Sequence, residues 1–387
     1  MKSRIFEIYI FIIISIQVNA QLILNQANTS FTPGPIKATG ADTTGFKLPV
    51  PGENRVWDYS DIGNSGSSAW GYITPENPDF SNATFADTNL SSVLIPGRYY
   101  HYDSYYETSE IGANALGYEV FLQKYGIGSL TGNALDSCNF PRQVWKYSTP
   151  SYLLKFPSTM STSFHTNTRS VVNFLLSIKA YSLKNVPCQK VTNNVRHDTI
   201  VGWGTMRVPT INGPSLAYDV LMLKRSVVSK DSFYMNGIPA PAALLFAFGL
   251  SQGQTTLTNR YIFWRENARY SLMLINFGSN NFTKASSIYY DGEAKADPNS
   301  ISENRETIIN IFPNPNQGEF HINTGSLCDE EYNILIFNTM GQTVYSENSV
   351  RAGKDFVRIK DRNLKKGTYF IRIKNNNKTA ISKFVIN

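Results

Sequence analysis

The chain has 387 residues, enough for two domains of ordinary size, and 42% of them are hydrophobic, so each domain can bury a core. Only 17% are charged, and the net charge of +7 is scattered along the chain, which argues against a nucleic-acid-binding surface. Aromatic residues reach 13%, and together with many Asn, Ser, Thr and Gly they favour strands and turns over long helices. The sequence therefore predicts an all-β protein.

The first twenty residues have the three parts of a secretory signal peptide. Lys2 and Arg4 form a positively charged start, and Ile8–Val18 follows as an apolar run. A small residue, Ala20, ends the segment, which predicts cleavage between Ala20 and Gln21. An uncleaved anchor is the alternative, although the run is short for a membrane-spanning helix. No other segment reaches that length, so we expect no transmembrane helix in the mature chain.

A polar stretch, residues 293–307, separates two parts of the chain. It has no apolar periodicity and contains an Asp-Pro pair, as is typical of an inter-domain linker. We therefore expect a β-rich domain at residues 21–292 and a small domain at residues 308–387.

Short alternating segments separated by Gly- and Pro-containing turns predict that the large domain is β-sandwich-like. Only Asn173–Leu183 and Pro241–Leu250 are compatible with helices, whereas a parallel α/β sheet would need many more. The predicted strands are Arg55–Tyr59, Arg98–Glu107, Gly117–Gln123, Gln143–Tyr147, Tyr152–Phe156, Leu216–Arg225, Tyr261–Trp264, Tyr270–Phe277 and Ser287–Tyr290.

One predicted strand is unusually rich in tyrosine. Residues 99–107 read YYHYDSYYE, and exposed tyrosines on a strand can stack on sugar rings or line an interface with a partner. Tyr100, Tyr102, Tyr105 and Tyr106 are therefore candidate binding residues for a glycan or another surface ligand. We favour the alternative, in which one face packs in the core and the other forms cross-strand aromatic pairs.

No segment carries a recognisable catalytic or metal-binding motif. Paired carboxylates could hydrolyse glycosides, and the pairs to consider are Asp58 with Asp61, Asp103 with Glu107, and Asp291 with Glu293. None of these pairs is specific, because acidic residues at strand ends more often cap turns. No histidine stands in a metal-ligand spacing, so we expect no catalytic residue, no metal and no cofactor. The histidines are His101, His165, His197 and His321.

The three cysteines also fit no zinc or redox spacing. They are Cys138, Cys188 and Cys328, and an odd number excludes complete pairing within one chain. Cys138 and Cys188 could form a disulfide if their strands are neighbours, and the sequence leaves that question open.

The tail alternates with a period of two residues. In residues 368–374, which read TYFIRIK, the side chains of Tyr369, Ile371 and Ile373 fall on one face of a strand. Similar short strands are expected at Tyr332–Asn338, Gln342–Ser346, Phe356–Lys360 and Ile381–Ile386. Six or seven such strands in about eighty residues predict an immunoglobulin-like β-sandwich.

Several residues of this tail stand in a distinctive order. They are Pro313-Asn314-Pro315 with Gly318, Asn338 with Gly341, Gly367 with Tyr369, and Lys383 before the terminal Phe-Val-Ile. Each has a plain structural role, because proline fixes φ and glycine adopts turn conformations closed to other residues. In this order, over the last fifth of the chain, they closely resemble the type A C-terminal sorting domain of the Bacteroidota type IX secretion system.

The resemblance implies where the protein goes. In that family the outer-membrane secretion machinery recognises the domain, and a sortase-like protease then usually removes it. The cargo is attached to surface lipopolysaccharide or released. For this chain the resemblance implies passage through the periplasm, a cut in or near residues 293–310, and a location on the outer-membrane surface or outside the cell.

The role of the large domain is less defined by sequence. The tyrosine-rich strand and the lack of catalytic motifs favour a non-catalytic binding or adhesion module. The alternative is a secreted hydrolase of glycans or peptides that carries the same sorting tag.

Overall fold

The structure is a computed structural model that describes residues 21–91, 99–298, 309–323, 331–351, 356–360, 364–374 and 379–387. The chain divides into two compact units, a large unit, Met1–Pro298, and a small unit, Asn299–Asn387. The predicted leader, residues 1–20, and Cys328 lie outside the described residues. Nearly all regular structure in both units is β, as the composition predicts.

The large unit contains eighteen strands within the described ranges. They are β1 (Gly34–Ala41), β2 (Gly52–Asp58), β3 (Asn64–Ile73), β4 (Phe85–Ser91), β5 (Tyr100–Ser109), β6 (Gly112–Val120), β7 (Gln123–Gly126), β8 (Ser137–Phe140), β9 (Gln143–Lys155), β10 (Ser163–Ile178), β11 (Leu183–Arg207), β12 (Pro209–Thr210), β13 (Gly213–Pro214), β14 (Tyr218–Met235), β15 (Ile238–Pro239), β16 (Thr255–Trp264), β17 (Met273–Gly278) and β18 (Ser287–Asp291). The helices are α1 (Gly128–Thr131) and α2 (Ala242–Ala247), with single 3-10 turns at Gln26–Asn28, Pro78–Phe80 and Lys179–Tyr181.

One long sheet runs through the large unit in the order β7-β8-β10-β11-β14-β16-β17-β18-β1-β3-β4-β5-β6-β9. All pairings along this path are antiparallel, whereas β2 pairs in parallel with β11 over Gly202–Arg207. The sheet folds back on itself, because side chains of β9 reach β10. Trp145 Nε1 donates to the Arg169 carbonyl at 2.7 Å, and Thr149 Oγ1 donates to the Asn167 carbonyl at 2.6 Å.

The folded sheet encloses apolar side chains from both of its halves. One core cluster joins Ile36 of β1 and Phe85 of β4 to Ile200 of β11, Leu223 of β14 and Ile262 of β16, all of them buried. Because strands distant in sequence contribute to the same interior, this arrangement is sandwich-like, as predicted. Burial of such side chains is the main stabilising contribution, worth about 1.5–3 kcal/mol for each.

Two segments were expected to be compatible with helices, and only one of them contains a helix in the structure. Pro241–Leu250 contains α2, which buries Leu244 and Leu245. The helical interpretation of Asn173–Leu183 is wrong, because Asn173–Ile178 is the end of β10 and pairs with β8 and β11. On the same strand, Val171, Val172 and Phe174 are buried, and such β-branched and aromatic residues suit a central strand.

The small unit is a two-sheet sandwich. Its strands are β19 (Asn310–Phe312), β20 (Glu319–Asn323), β21 (Glu331–Asn338), β22 (Thr343–Arg351), β23 (Phe356–Lys360), β24 (Gly367–Lys374) and β25 (Thr379–Ile386). One sheet has the order β19-β20-β23 and the other β22-β21-β24-β25. Phe320 and Phe384, from opposite sheets, meet with ring centroids 4.6 Å apart in the core.

The start of the predicted linker lies against the large unit. Leu216 N donates to the Lys295 carbonyl at 2.9 Å, and Arg207 forms an ion pair with Asp297 at 2.8 Å. The domain limits inferred from the sequence stay a prediction. Within the described residues, no helix has both the length and the apolarity needed to cross a membrane.

Candidate functional site

The first turn of the small unit is tied to its last strand. Asn314 Oδ1 accepts a hydrogen bond from Val385 N at 2.9 Å, and Asn314 Nδ2 donates to the Lys383 carbonyl at 3.4 Å. Asn316 continues the contact, since its backbone nitrogen donates to the Val385 carbonyl at 3.0 Å. The Asn316 side chain accepts from Gly318 N and so closes the turn. Residues at the two ends of the tail therefore depend on each other.

A second turn joins β21 to β22. Asn338 Oδ1 accepts hydrogen bonds from Met340 N at 3.0 Å and from Gln342 N at 2.9 Å. Gly341 lies in this turn with a φ of +78°, a left-handed conformation that costs glycine little. These contacts explain why Asn and Gly are needed at these two positions.

Tyr369 is the central aromatic residue of the tail. It is buried on β24, stacked on Phe384, and its hydroxyl donates to the Lys365 carbonyl at 2.8 Å. Ile371 and Ile373 are buried beside it, whereas Phe370 is exposed on the opposite face. The alternation predicted for residues 368–374 is confirmed.

A family model for the secretion system C-terminal sorting domain matches residues 310–387. Residues 310–387 are a type IX secretion C-terminal sorting domain. The protein is therefore exported through the periplasm and across the outer membrane, to the cell surface or beyond it, and it interacts with the type IX machinery. The sorting domain also implies a Bacteroidota source.

Outside the sorting domain, similarity to known proteins is slight. No curated protein matches the chain. One solved structure that this chain matches is that of PorZ, described as an essential bacterial surface component of the type IX secretion system of Porphyromonas gingivalis. It is 9% identical with a TM-score of 0.18, and the match covers 74% of this chain and 58% of that one. This chain thus spans less than two thirds of that structure.

The candidate binding tyrosines of β5 pack inside the large unit. Tyr100 and Tyr105 are buried, and burial raises the pKa of each phenol to about 12. The ring neighbours are Phe140 for Tyr100, Tyr118 for Tyr102, Phe80 for Tyr105 and Phe85 for Tyr106, at centroid distances of 5.0, 5.9, 4.4 and 4.9 Å. Tyr100 and Tyr105 therefore belong to the core, whereas Tyr102 and Tyr106 are half-buried, and a binding role for these tyrosines stays a prediction.

Two histidines meet on the outer face of the long sheet. His165 of β10 and His197 of β11 are directly opposite in the register and exposed, with their Nδ1 atoms 3.2 Å apart. Asp198, the next residue, points inward and is buried, as expected for neighbours on a strand. Among the described residues, no group of three or more His, Cys, Asp and Glu is placed to hold a metal ion.

Cys138 and Cys188 are free and buried on the two strands that flank β10. Burial, together with the neighbouring Cys188, raises the pKa of the Cys138 thiol, and burial raises the pKa of Cys188 to about 11. Both thiols are therefore protonated at neutral pH and behave as small core residues.

The large unit contains a polar cleft of about 390 Å³. It is formed by β1, by residues 265–270 between β16 and β17, and by the end of β18. Of the carboxylate pairs considered for hydrolysis, one pair, Asp291 with Glu293, lines it. This cleft is the candidate binding site of the large unit.

Each carboxylate of the cleft forms an ion pair with a cationic side chain. Asp291 forms an ion pair with Arg265 at 2.6 Å, and the Arg265 guanidinium lies over the Tyr218 ring at 4.3 Å. Glu293 lies 3.5 Å from Lys37 in an exposed pair. Both acids are therefore engaged with cations, Asp291 in a partly buried pair and Glu293 in an exposed one.

Arg269 is the cleft residue whose charge is not balanced. Its guanidinium donates to the carbonyls of Thr32 at 3.0 Å and Pro35 at 2.8 Å, and it forms no ion pair with a described residue. Gly34 makes room for it, since a Cβ at that position would lie 2.8 Å from the guanidinium carbon. A fixed cation facing a cleft can bind a carboxylate or accept hydroxyl oxygens as partners.

A buried ion cluster in the core was not among the features predicted from the sequence. Asp198 accepts from Arg225 Nε at 2.6 Å and from Arg196 Nε at 2.7 Å, while Arg225 also donates to the Leu153 carbonyl at 2.9 Å. Burial, and then the nearby Arg225, lowers the pKa of Arg196 to about 10. The cluster links β9, β11 and β14, so its role is structural. Arg196 and Asp198 are two residues apart, so on a strand their side chains lie on one face. This spacing is the feature of the sequence that could have indicated the ion pair.

Proposed function

We propose that the large unit acts at the cell surface as a non-catalytic binding module whose ligand occupies the polar cleft. The observation that carries this proposal is the unbalanced Arg269 guanidinium, held in place by two backbone carbonyls beside engaged carboxylates. A ligand with hydroxyl groups and a negative charge, such as an acidic glycan, would complement it.

The proposal extends to how the protein reaches the surface. A signal peptide cleaved after Ala20 would start export, and a sortase would remove the sorting domain near residues 293–310. Attachment to surface lipopolysaccharide would then retain the large unit on the cell. Mass spectrometry of the surface form tests both cuts, because it should begin at Gln21 and end within that second range.

A glycan array probed with the purified exported protein tests the binding module. Acidic oligosaccharides should be retained, and Arg269→Gln should weaken that binding by about tenfold or more, the loss of one charge-assisted contact. Lys124→Gln changes an exposed cation on β7 outside the cleft and should have no effect. Equal binding by both variants, with unchanged thermal unfolding, would reject the cleft as the site.

A further inference from the structure

The histidine pair on the outer face of the sheet has the spacing of two ligands on one ion. Its Nδ1 atoms share a hydrogen bond at 3.2 Å, which a bound ion would replace, and the ring centroids are 4.4 Å apart. Zinc–imidazole bonds are about 2.0–2.1 Å long, so two imidazole nitrogens on one zinc ion lie about 2.9–3.4 Å apart for angles between 90° and tetrahedral. The observed distance falls within that range.

The backbone places the two rings without any help from a ligand. His165 and His197 stand directly opposite each other in the antiparallel pairing between β10 and β11, two residue pairs in from one end of that pairing. Inward neighbours on both strands, Phe164 and Asp198, are buried and hold the register. A pair of ligands on such a rigid frame loses little conformational entropy when an ion binds.

The surroundings of the pair leave open positions for water. Both histidines are exposed, and the adjacent cross-strand pair on the same face, Ser163 and Thr199, presents hydroxyls that hydrogen-bond to each other at 2.9 Å. Imidazole ligands favour Zn²⁺, Ni²⁺ and Cu²⁺ over Mg²⁺ and Ca²⁺, which prefer oxygen. A two-histidine site would complete its coordination with water molecules.

We propose that His165 and His197 form a surface site for a divalent transition-metal ion of the zinc, nickel and copper group. Each ring coordinates the ion through Nδ1, and the remaining positions are filled by water. This site is on the sheet face, apart from the cleft, and it does not depend on the proposed function of the large unit.

Calorimetric titration of the purified exported protein with Zn²⁺ tests the site. One ion should bind with a Kd in the range of about 1–100 µM, and His165→Asn or His197→Asn should each weaken binding by about tenfold or more. His101→Asn is the matched control, because His101 is exposed on β5 and its side chain is not part of the pair. It should leave the Kd unchanged.

Electron paramagnetic resonance with Cu²⁺ supplies a second readout that does not depend on affinity. The parent protein should show nitrogen hyperfine structure from two imidazoles, and each single variant should lose one of them. Absence of Zn²⁺ binding up to about 1 mM, or a Cu²⁺ spectrum that neither substitution alters, would overturn the proposal.

Discussion

Asn314 accepts a hydrogen bond at 2.9 Å from the backbone nitrogen of Val385, 71 residues later in the chain. This contact joins the first turn of the sorting domain to its final strand. It means that the Pro-Asn-Pro segment and the terminal Lys-Phe-Val-Ile segment are parts of one structural unit. An export machinery that recognises the folded domain would therefore sense both ends together.

Replacing Asn314 should impair export through loss of this contact. Asn314→Ala removes the acceptor of this exposed hydrogen bond from Val385 N, which costs about 0.5–1.5 kcal/mol. Asn314→Asp keeps the oxygen acceptor and is the matched control. We expect a smaller surface fraction for the alanine variant and a near-normal one for the aspartate variant, measured by immunoblot of cell fractions. Equal export of both would show that the contact is dispensable.

The buried carboxylate of Asp198 should be essential for the stability of the large unit. Asp198→Asn leaves Arg196 and Arg225 buried beside a neutral partner, and breaking a buried ion cluster typically costs about 3–5 kcal/mol. Denaturant unfolding of the purified exported protein measures the loss. Glu53→Gln removes an exposed charge and should change stability by less than about 0.5 kcal/mol. A stability loss for Asp198→Asn as small as the control's would contradict the structural role of the cluster.

Asp87 should make stability depend on pH. Burial raises its pKa to about 6, despite hydrogen bonds such as the one from Asn89 Nδ2 at 2.7 Å. The folded state therefore keeps this proton to a higher pH than the unfolded state, so stability falls as pH rises from about 4 to about 6. The size of this effect is about 1–3 kcal/mol.

Unfolding of the parent and Asp87→Asn proteins at pH 4 and pH 7 isolates that contribution. The parent should lose more stability than the variant on going to pH 7, because the amide cannot ionise. An identical pH dependence in both proteins would show that Asp87 titrates normally.

The sorting domain was the part of the fold most open to prediction from sequence. Its strands are short, and each buries one face, so the alternation of Tyr369, Ile371 and Ile373 is visible in a single segment. Its turn residues, such as Asn338 and Gly341, also have local roles. Local patterns suffice where turns and strand faces decide the structure.

The large unit shows where local patterns fail. Asn173–Leu183 looked compatible with a helix, but pairing with β8 and β11 makes its first half a strand, since tertiary context outweighs weak propensity. His165 and His197 are 32 residues apart, so their contact depends on a register that the sequence does not display. The lack of an ion-pair partner for Arg269 likewise depends on the three-dimensional arrangement of the cleft and is not visible in the sequence.

Cell fractionation after deletion of residues 308–387 tests the central claim most directly. The truncated protein should accumulate in the periplasm, because it keeps residues 1–20, the proposed leader, but lacks the domain that the type IX machinery recognises. Appearance of the truncated protein on the cell surface at the level of the full chain would contradict the assignment.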